Sequence, residues 1–587
     1  MRERVILRLL PVGTLVLVAA WSAMPTGQAG SGLSAALGQS LSRQDREIAD
    51  RVRVETIRDV TVTLASPEME GRGTAQPGGV KAAKYLAGRF AKLGLKPLGD
   101  QGSYLQAVPF EAMAFGSGSS LKIEGSTLKE GTDYRYWIRP SFLSSRSIDA
   151  RGKAVLVSHA ILLESLLRND PTGLDVKGKI VVDPGGPLKR PASAAPLPPD
   201  SLEQVVSGLA RQGAAGVIVI AWSDSNLTAP AAFGVAQRRR VFLAETRRSV
   251  PGDWPPVAFL SLDAAKRLLP KSPEAIANLI DKAQAGERVL RELGVEVEMS
   301  VPQTLEPAIG HNVIGLLEGA DPQLKAEAVV YSAHYDAWGK DARGRIFPGA
   351  ADNALGVAKM LAVAEAMSQT PNRPRRSVIF LAPTGEEHYM LGTHYWLEHP
   401  TWPVAKIAAD LNIDGIDNDT YGPVKAIYGV GLGLSNLDRT IFAVARDMRI
   451  LFVPELGFDR QNAFQRSDQY EFALRGVPTV YVFGLAAEQR SAGKPAKPKG
   501  LLDSLSRLPA TAGQLVDTGV RAKRFLDNDY HQPSDVVRPE WDWQGVRTAA
   551  VFYLVTGLRV ANAEKMPEWR PGSRFSRGGK KKMEERR

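Results

Sequence analysis

The order of apolar and polar positions divides the chain into three regions. Over residues 75–95, apolar side chains recur at three- and four-residue intervals, which predicts an amphipathic helix that ends at Gly94. Between residues 116 and 304, short apolar runs typical of strands lie on either side of a proline-rich loop at 183–200. From residue 305 onward, strand-like and helix-like segments alternate.

The alternation in the third region predicts an α/β fold. Strands are expected over 326–333, 377–382, 407–413, 424–428 and 479–483, and helices over 353–367 and 437–446. Such an alternation gives a mostly parallel central sheet between helical layers. In sheets of this kind, ligands bind beyond the carboxyl ends of the strands.

The N-terminus has the pattern of a secretory signal. Arg2, Arg4 and Arg8 precede an apolar stretch over residues 12–23, and small residues follow up to Ala29, where cleavage is expected. The signal predicts an exported protein, periplasmic or secreted. An uncleaved membrane anchor is the alternative, but the apolar run is short for a hydrocarbon core of about 30 Å, so no stable membrane span is expected.

The formal net charge of +11 is concentrated at the two ends of the chain. The signal carries +2, and the segment from Arg570 carries +6, which leaves +3 for residues 30–569. A nucleic-acid partner is therefore not expected. The C-terminal segment 566–587 is predicted to be a basic, disordered tail, either merely solvated or adhering to an anionic surface.

The absence of cysteine limits the possible chemistry. Disulfides, thiolate metal sites and cysteine nucleophiles are excluded, and any metal must be held by histidine and carboxylates. Neither the Gly-x-Ser-x-Gly motif of serine hydrolases nor a phosphate-binding P-loop motif occurs.

Charged residues follow the predicted strands at their carboxyl ends or lie in loops beside them. The set comprises His334, Asp336, Asp352, Glu386, Glu387, Asp414 and His531. Burying such charges is costly unless they bind a partner, and a metal is the natural partner for two imidazoles and several carboxylates. The sequence therefore predicts a metal site at this edge of the sheet.

Five motifs, in order along the chain, resemble those of the co-catalytic di-zinc exopeptidase family. They are His334-x-Asp336, the segment 348–353, Gly385-Glu386-Glu387, Asn412-x-Asp414 and Tyr530-His531 followed by Asp535. The family includes secreted bacterial aminopeptidases, glutamate carboxypeptidases and the inactive transferrin receptor. The resemblance covers about 45–110 and 305–560, and the segments 69–73 and 467–469 are similar to weaker family markers.

The resemblance implies a division into domains. Residues 1–29 would be the signal, 30–115 and 305–565 the two parts of the peptidase domain, and 116–304 an insert. The insert resembles a β-rich protease-associated domain, with a generic α/β insert as the alternative. Its arginine clusters at 238–240 and 247–248 could face an acidic ligand or form a solvated face.

The resemblance also implies two zinc ions and a role for each motif residue. Asp352 would bridge the metals, His334 and Asp414 would complete one site, and Glu387 and His531 the other. Glu386 would be the general base for the water between the metals, and Asp336 would orient His334. Tyr530 is a candidate donor to the oxyanion. The family's usual Asp-Asp-Asn is here Ala351-Asp352-Asn353, which retains the bridging carboxylate.

The implied function is an exported aminopeptidase that hydrolyses the N-terminal bond of a peptide substrate. One alternative is a carboxypeptidase for acidic dipeptides, which would need basic residues such as Arg460, Arg466 or Arg475 in its pocket. Others are a non-catalytic binding relative and a single-zinc cyclotransferase. The long segment 485–527 is expected to form a surface excursion or lid near His531. The preferred terminal residue and the oligomeric state stay open.

Overall fold

The computed structural model describes residues 41–115, 119–137, 148–158, 161–162, 174–184, 201–220, 239–245, 255–269, 273–341, 344–415, 417–453, 463–486, 524–526 and 528–576. The predicted signal, His159, Arg460 and most of the predicted excursion after residue 486 lie outside these residues. Within the described part of the chain, none of the helices is both long and apolar enough to cross a bilayer.

In the described residues, twenty strands form two large sheets and one small hairpin. In chain order, the strands are β1 (Lys96–Pro97), β2 (Leu105–Phe115), β3 (Ser120–Ile123), β4 (Ser126–Thr127), β5 (Tyr134–Trp137), β6 (Ile148–Val157), β7 (Ile180–Asp183), β8 (Gly216–Ile220), β9 (Arg240–Leu243), β10 (Val257–Leu260), β11 (Leu290–Val301), β12 (Gln303–Leu317), β13 (Ala328–Ser332), β14 (Gly339–Lys340), β15 (Ile346–Phe347), β16 (Ser377–Ala382), β17 (Ile407–Asn412), β18 (Val424–Val430), β19 (Leu451–Val453) and β20 (Thr479–Ala486).

Helices surround the larger sheet and also cover the smaller one. They are α1 (Arg43–Ala49), α2 (Val54–Leu64), α3 (Pro77–Lys92), α4 (Ser201–Arg211), α5 (Leu262–Ala265), α6 (Pro273–Gln284), α7 (Leu355–Ser368), α8 (Leu391–Glu398), α9 (Asp438–Asp447), α10 (Gln469–Leu474) and α11 (Trp543–Asn562). Short helical turns at Pro67–Arg72, Ala350–Ala354 and Glu386–His388 lie next to the candidate site.

The larger sheet has ten strands, and nine of them follow the order β19-β18-β20-β17-β13-β16-β12-β2-β9, with β1 beside β12. Its central strands β20, β17, β13 and β16 are parallel, whereas β12, β2 and β9 on one side run antiparallel to their neighbours. The predicted α/β fold is confirmed, and the parallel part of the sheet is its centre.

Alternation along the central strands fills a core on each face of this sheet. Val329 and Tyr331 of β13 pack on the side of α2, α3, α7 and α11, while Ala328 and Val330 face the side of α8 and α10. Because both faces are covered, the strands are apolar at almost every position and every residue of β13 and β16 is buried. Helix α7 is itself buried from Leu355 to Met367.

The second large sheet is built entirely from residues between 120 and 301. Its order is β4-β3-β11-β6-β7-β8-β10-β5, with β6, β7, β8 and β10 parallel. Strand β9 comes from the same stretch of chain but leaves this sheet. It pairs with β2 at the edge of the ten-stranded sheet instead.

The segment 69–73 is irregular, because Glu70, Gly71 and Arg72 at the end of the short turn Pro67–Arg72 are left-handed. One local prediction, the disordered C-terminal tail, is wrong in part. The tail is not disordered between 566 and 576, because Phe575 is only 3% exposed and packs against Phe464 and Trp569. An aromatic residue among charges was enough to anchor this part of the segment.

Candidate active site

One group of possible metal ligands consists of His334, Asp352 and Asp414. His334 follows β13, Asp414 follows β17, and Asp352 lies in the turn before α7. The His334 Nε2 atom is 3.4 Å from Asp352 Oδ1 and 3.3 Å from Asp414 Oδ1. The carboxyl ends of neighbouring parallel strands thus bring three separate motifs together.

A second group shares Asp352 with the first and adds Glu387 and His531. The His531 Nε2 atom lies 3.2 Å from Asp352 Oδ2 and 2.9 Å from Glu387 Oε2. Each oxygen of Asp352 therefore faces one of the two imidazoles. In each group, the ligand atoms lie within 4.8 Å of one another.

These donors fit divalent metal ions. Each group offers imidazole nitrogen and carboxylate oxygen, which suit zinc when no thiolate is available. The electrostatics also attract positive charge: burial opposes protonation of His531, but Glu387 and Asp352 raise its pKa to about 9. The five predicted ligands are thus brought together in two groups that share Asp352.

Asp336 links His334 to the Glu386 turn. Its Oδ1 lies 3.7 Å from His334 Nδ1 and accepts a hydrogen bond from the Glu386 backbone N–H, while Oδ2 accepts from the Thr74 hydroxyl. Burial alone would raise the pKa of Asp336. The nearby His334, His388 and Thr74 together outweigh burial and lower this pKa, so the carboxylate stays ionised. The hydrogen bond of His334 Nδ1 is to the backbone carbonyl of Asp336, at 3.2 Å, and such a bond to the second nitrogen of a ligating histidine fixes its tautomer and orientation.

Glu386 lies next to both groups without belonging to either. Its Oε2 is 3.8 Å from His334 Nε2, and its side chain is 10% exposed. Burial is the main cause that raises its pKa well above the usual range, and nearby carboxylates add to this while His334 opposes it. A carboxyl group with a raised pKa beside a metal site can accept and return a proton.

The turn that carries Asp352 is fixed from two sides. Asp535 accepts hydrogen bonds from the backbone N–H groups of Ala351 and Asp352. The fully buried Arg72 donates to the carbonyls of Tyr335, Pro348 and Gly349. Arg72 therefore ties together the chain after His334 and the chain before Asp352, a role that the weak marker at 69–73 did not reveal.

Tyr530 lies against a metal ligand. Its ring stacks on that of His531 with 3.6 Å between the centroids, and His531 itself has a left-handed backbone with φ 61°. Burial raises the pKa of Tyr530 well above its usual range, so its hydroxyl stays a proton donor at neutral pH. Whether it serves an oxyanion stays a prediction.

Asp468 does not cap the helix that follows it. It is the residue before α10, but its side chain makes no capping bond, and neither carboxylate oxygen has a hydrogen-bond partner in the described part of the chain. Burial raises its pKa to about 8. The neighbouring Ser467 hydroxyl accepts a hydrogen bond from Asn412 Nδ2, beside the strand end that leads to Asp414.

Of the basic residues suggested for an acidic pocket, Arg460 lies outside the described residues. Arg475 pairs with Glu398, and Arg466 is exposed, although its charge acts on Tyr530. Arg240 of the insert also lies near the site, since it is 4% exposed and is 4.7 Å from the centre of the Trp338 ring. Sequence reasoning gave its cluster two interpretations, and burial excludes a solvated face for Arg240.

His388, His394 and His399 differ in how close they lie to the site. His388 lies near the site, with its ring 5.6 Å from that of Trp338. His394 pairs with Glu471, and His399 stacks on Tyr395. These contacts make His394 and His399 packing or surface residues.

Comparison with known proteins identifies the domain that carries the site. Residues 312–555 match the model of Peptidase family M28. A vacuolar membrane protease of Schizophyllum commune is 34% identical over 91 residues, and the Aminopeptidase NAALADL1 of Mus musculus is 31% identical over 127 residues. These matches cover 16% and 21% of this chain, but only 9% and 16% of the relatives' length.

Solved structures agree on the fold over most of the chain. An aminopeptidase from Aneurinibacillus sp. strain AM-1 aligns with a TM-score of 0.53 at 16% identity, covering 90% of this chain and 97% of that one. A Peptidase M28 precursor from Shewanella amazonensis SB2B aligns with a TM-score of 0.52 at 15% identity, covering 90% and 98%. The solved structures show the fold alone, and the family match assigns residues 312–555 to a Peptidase family M28 domain, in agreement with the predicted co-catalytic zinc exopeptidase family.

Proposed function

We propose that the protein is an exported zinc-dependent exopeptidase that removes N-terminal residues from peptides. The observation that carries this proposal is the pair of ligand groups sharing Asp352, with Glu386 beside them. The secretory pattern of residues 1–29 supports export. The relatives named as aminopeptidases support N-terminal cleavage over the carboxypeptidase alternative.

Two zinc ions, one in each group, would polarise the scissile carbonyl and make water a better nucleophile near neutral pH. Three protein ligands per group, with Asp352 counted in both, leave room for substrate and water. Asp336 would hold His334 in the tautomer that a metal ligand needs. The non-catalytic alternative predicts lost ligands, whereas all five positions and the base are present.

Glu386 would move the protons of the reaction. It accepts a proton from the attacking water and passes it to the leaving amine, which must be protonated before it departs. Glu386 and Glu387 are neighbours in a short helical turn. They can take different roles because Glu386 lies near His334, whereas Glu387 contacts His531. Tyr530, stacked on His531, remains the candidate donor to the oxyanion.

The second sheet, between residues 120 and 301, is proposed to be the protease-associated domain that the sequence resembles. It contains its own apolar cores on both faces. The strand β9 gives this region a direct connection to the edge of the peptidase sheet.

Separate loss of base and ligand tests the function. We expect Glu386→Gln to keep its zinc and to lose about 10²-fold or more in kcat, the usual size of a general-base effect. Glu387→Ala should instead lose zinc from the second group. Zinc is measured by elemental analysis, and hydrolysis is followed on aminoacyl substrates with free and blocked amines.

Glu47→Gln is the matched control, because this glutamate is 61% exposed and lies on α1. It should behave as the wild type in both assays. Full activity of Glu386→Gln, or unchanged zinc in Glu387→Ala, contradicts the assigned roles. Cleavage of blocked substrates bearing a free carboxylate, without cleavage of free-amine substrates, would favour the carboxypeptidase alternative.

A further inference from the structure

A buried arginine from the inserted region lies beside the metal-ligand groups. Arg240 is the first residue of β9 and pairs with Met113 of β2 at the edge of the ten-stranded sheet. Its neighbour Arg239 donates to the carbonyls of Thr74 and Ala75, which fixes the start of the strand to the peptidase domain. The position of Arg240 is therefore set by both parts of the molecule.

The Trp338 ring contacts both the Arg240 guanidinium and His531, a predicted metal ligand. Its central carbon lies 4.7 Å from the centre of the Trp338 ring, and this ring is 5.0 Å from the ring of His531. Arg240 also feels the charge of Glu387, the other ligand of that group. A cation–π contact uses the face of the ring and leaves the N–H donors of the guanidinium available.

One of those donors is unsatisfied, because the Nε of Arg240 has no hydrogen-bond partner in the described part of the chain. The other deeply buried arginines differ, since Arg72 donates to four carbonyls and Arg376 donates to Glu327 and to carbonyls of the chain after α11. Burial lowers the pKa of Arg240 to about 10, so the side chain is still charged at neutral pH.

A buried charge without a partner is unfavourable unless a ligand completes it. The planar guanidinium matches a carboxylate, which it can bind through two parallel hydrogen bonds. A peptide carries such a group either as the side chain of an acidic residue or as its own C-terminus.

We propose that Arg240 binds a carboxylate of the peptide substrate, so that the insert selects what the peptidase domain cleaves. This inference rests on the proposed peptidase function and assigns part of its specificity. It also assigns a ligand to one residue of the arginine cluster 238–240, for which the sequence left two interpretations.

Four substrates and one variant test the proposal. The substrates are Glu-p-nitroanilide, Leu-p-nitroanilide, the dipeptide Leu-Gly and its C-terminal amide. Arg240→Gln should lower kcat/KM about 10- to 100-fold for a carboxylate-bearing substrate, the effect expected of one charge-assisted hydrogen bond. The kcat/KM values for the two substrates without a carboxylate should not change. Arg240→Lys keeps the charge but not the planar fork, so it should restore part of the loss.

The controls separate binding from packing. Arg291→Gln removes an exposed arginine of the insert, in β11, and should not change the preference for carboxylates. Zinc content and melting temperature of every variant show whether the site is intact. Loss confined to Glu-p-nitroanilide assigns the contact to an acidic side chain, and loss confined to Leu-Gly assigns it to the C-terminal carboxylate.

Two results would overturn the role of Arg240 and leave the peptidase function standing. One is an equal effect, or none, on all four substrates in Arg240→Gln. The other is a wild type that cleaves only Leu-p-nitroanilide and the Leu-Gly amide, the two substrates without a carboxylate. A wild type with bound zinc that cleaves none of the four would instead contradict the peptidase function itself.

Discussion

At the scale of single residues, Asp410 shows how a carboxyl group is buried away from the metal groups. It lies in β17 and accepts hydrogen bonds from the hydroxyls of Ser332 and Thr479, each at 2.7 Å. Burial raises its pKa to about 7, although both hydroxyl bonds act in the opposite direction. The protonated form is therefore the stable one inside the sheet.

This raised pKa predicts how stability depends on pH. The stabilisation is fully present below the unfolded pKa of 3.8 and is lost as pH rises through about 7. Asp410→Asn keeps the shape without the ionisation, so its free energy of unfolding relative to wild type should increase between pH 5 and pH 8. Urea unfolding at both pH values measures this difference, with the exposed Asp281→Asn as control. An equal difference at both pH values would show that Asp410 does not ionise in this range.

The residues of the site were largely predictable from the sequence. His334, Asp352, Glu387, Asp414 and His531 could be found because each follows an apolar run or stands in a loop near a strand end. Such positions form a common edge once the strands are parallel. Arg72 could not be assigned in this way, since its partners Tyr335, Pro348 and Gly349 are more than 260 positions further along the chain.

At the scale of elements, the joint between the Asp352 turn and α7 leaves no space for a side chain. A Cβ at Gly356 would lie 2.0 Å from Asn353 Oδ1 and 2.3 Å from the Ile413 carbonyl. Asn353 in turn donates to that carbonyl and to the carbonyl of His334. The first turn of the helix is thus part of the frame that holds the bridging ligand.

Two alanine substitutions in helices should therefore have opposite effects. Gly356→Ala must displace Asn353 or Ile413, so we expect a lower melting temperature and a lower zinc content. Gly88→Ala lies in α3, where a Cβ meets nothing within 4 Å, and should stabilise the protein by about 0.5–1 kcal/mol. Thermal unfolding and elemental analysis check both. A Gly356→Ala protein that keeps wild-type zinc and stability would contradict the steric argument.

The elements themselves were predicted with small errors at their ends. Strand β16 has the predicted bounds, because buried strands are marked by uninterrupted apolar runs. The helix expected from residue 353 begins instead at Leu355, after a separate turn over Ala350–Ala354. The apolar pattern is the same on both sides of that boundary, so only the contacts of Asp352 and Asn353 place it.

At the scale of the whole molecule, the insert and the peptidase domain share an edge that no local pattern announces. Strand β9 is too short to show where it pairs, and its partner β2 lies more than 100 positions earlier in the chain. The same limit explains the error at the C-terminus. From Arg570 onward, Phe575 is the one aromatic residue among many charges. Such a composition predicts disorder unless the distant residues that pack against Phe575 are known.

The end of the described chain offers a direct test of that long-range packing. Phe575 lies in a cluster with Phe464 and Tyr428, Trp569 donates to the Gly476 carbonyl, and Arg570 pairs with Asp438. Deleting residues 566–587 removes all three contacts and should lower the free energy of unfolding by about 2–4 kcal/mol, since burial of one large apolar side chain contributes about 1.5–3 kcal/mol.

Deleting only residues 577–587 retains the cluster and should leave stability unchanged, although it removes most of the basic charge of this segment. Urea unfolding of the two truncated proteins beside wild type separates packing from charge. If both deletions cost the same, the charges beyond Ser576 stabilise the fold and the aromatic cluster does not. If only the longer deletion is destabilising, residues 566–576 are part of the peptidase core, because their contacts reach the loops after β18 and α10.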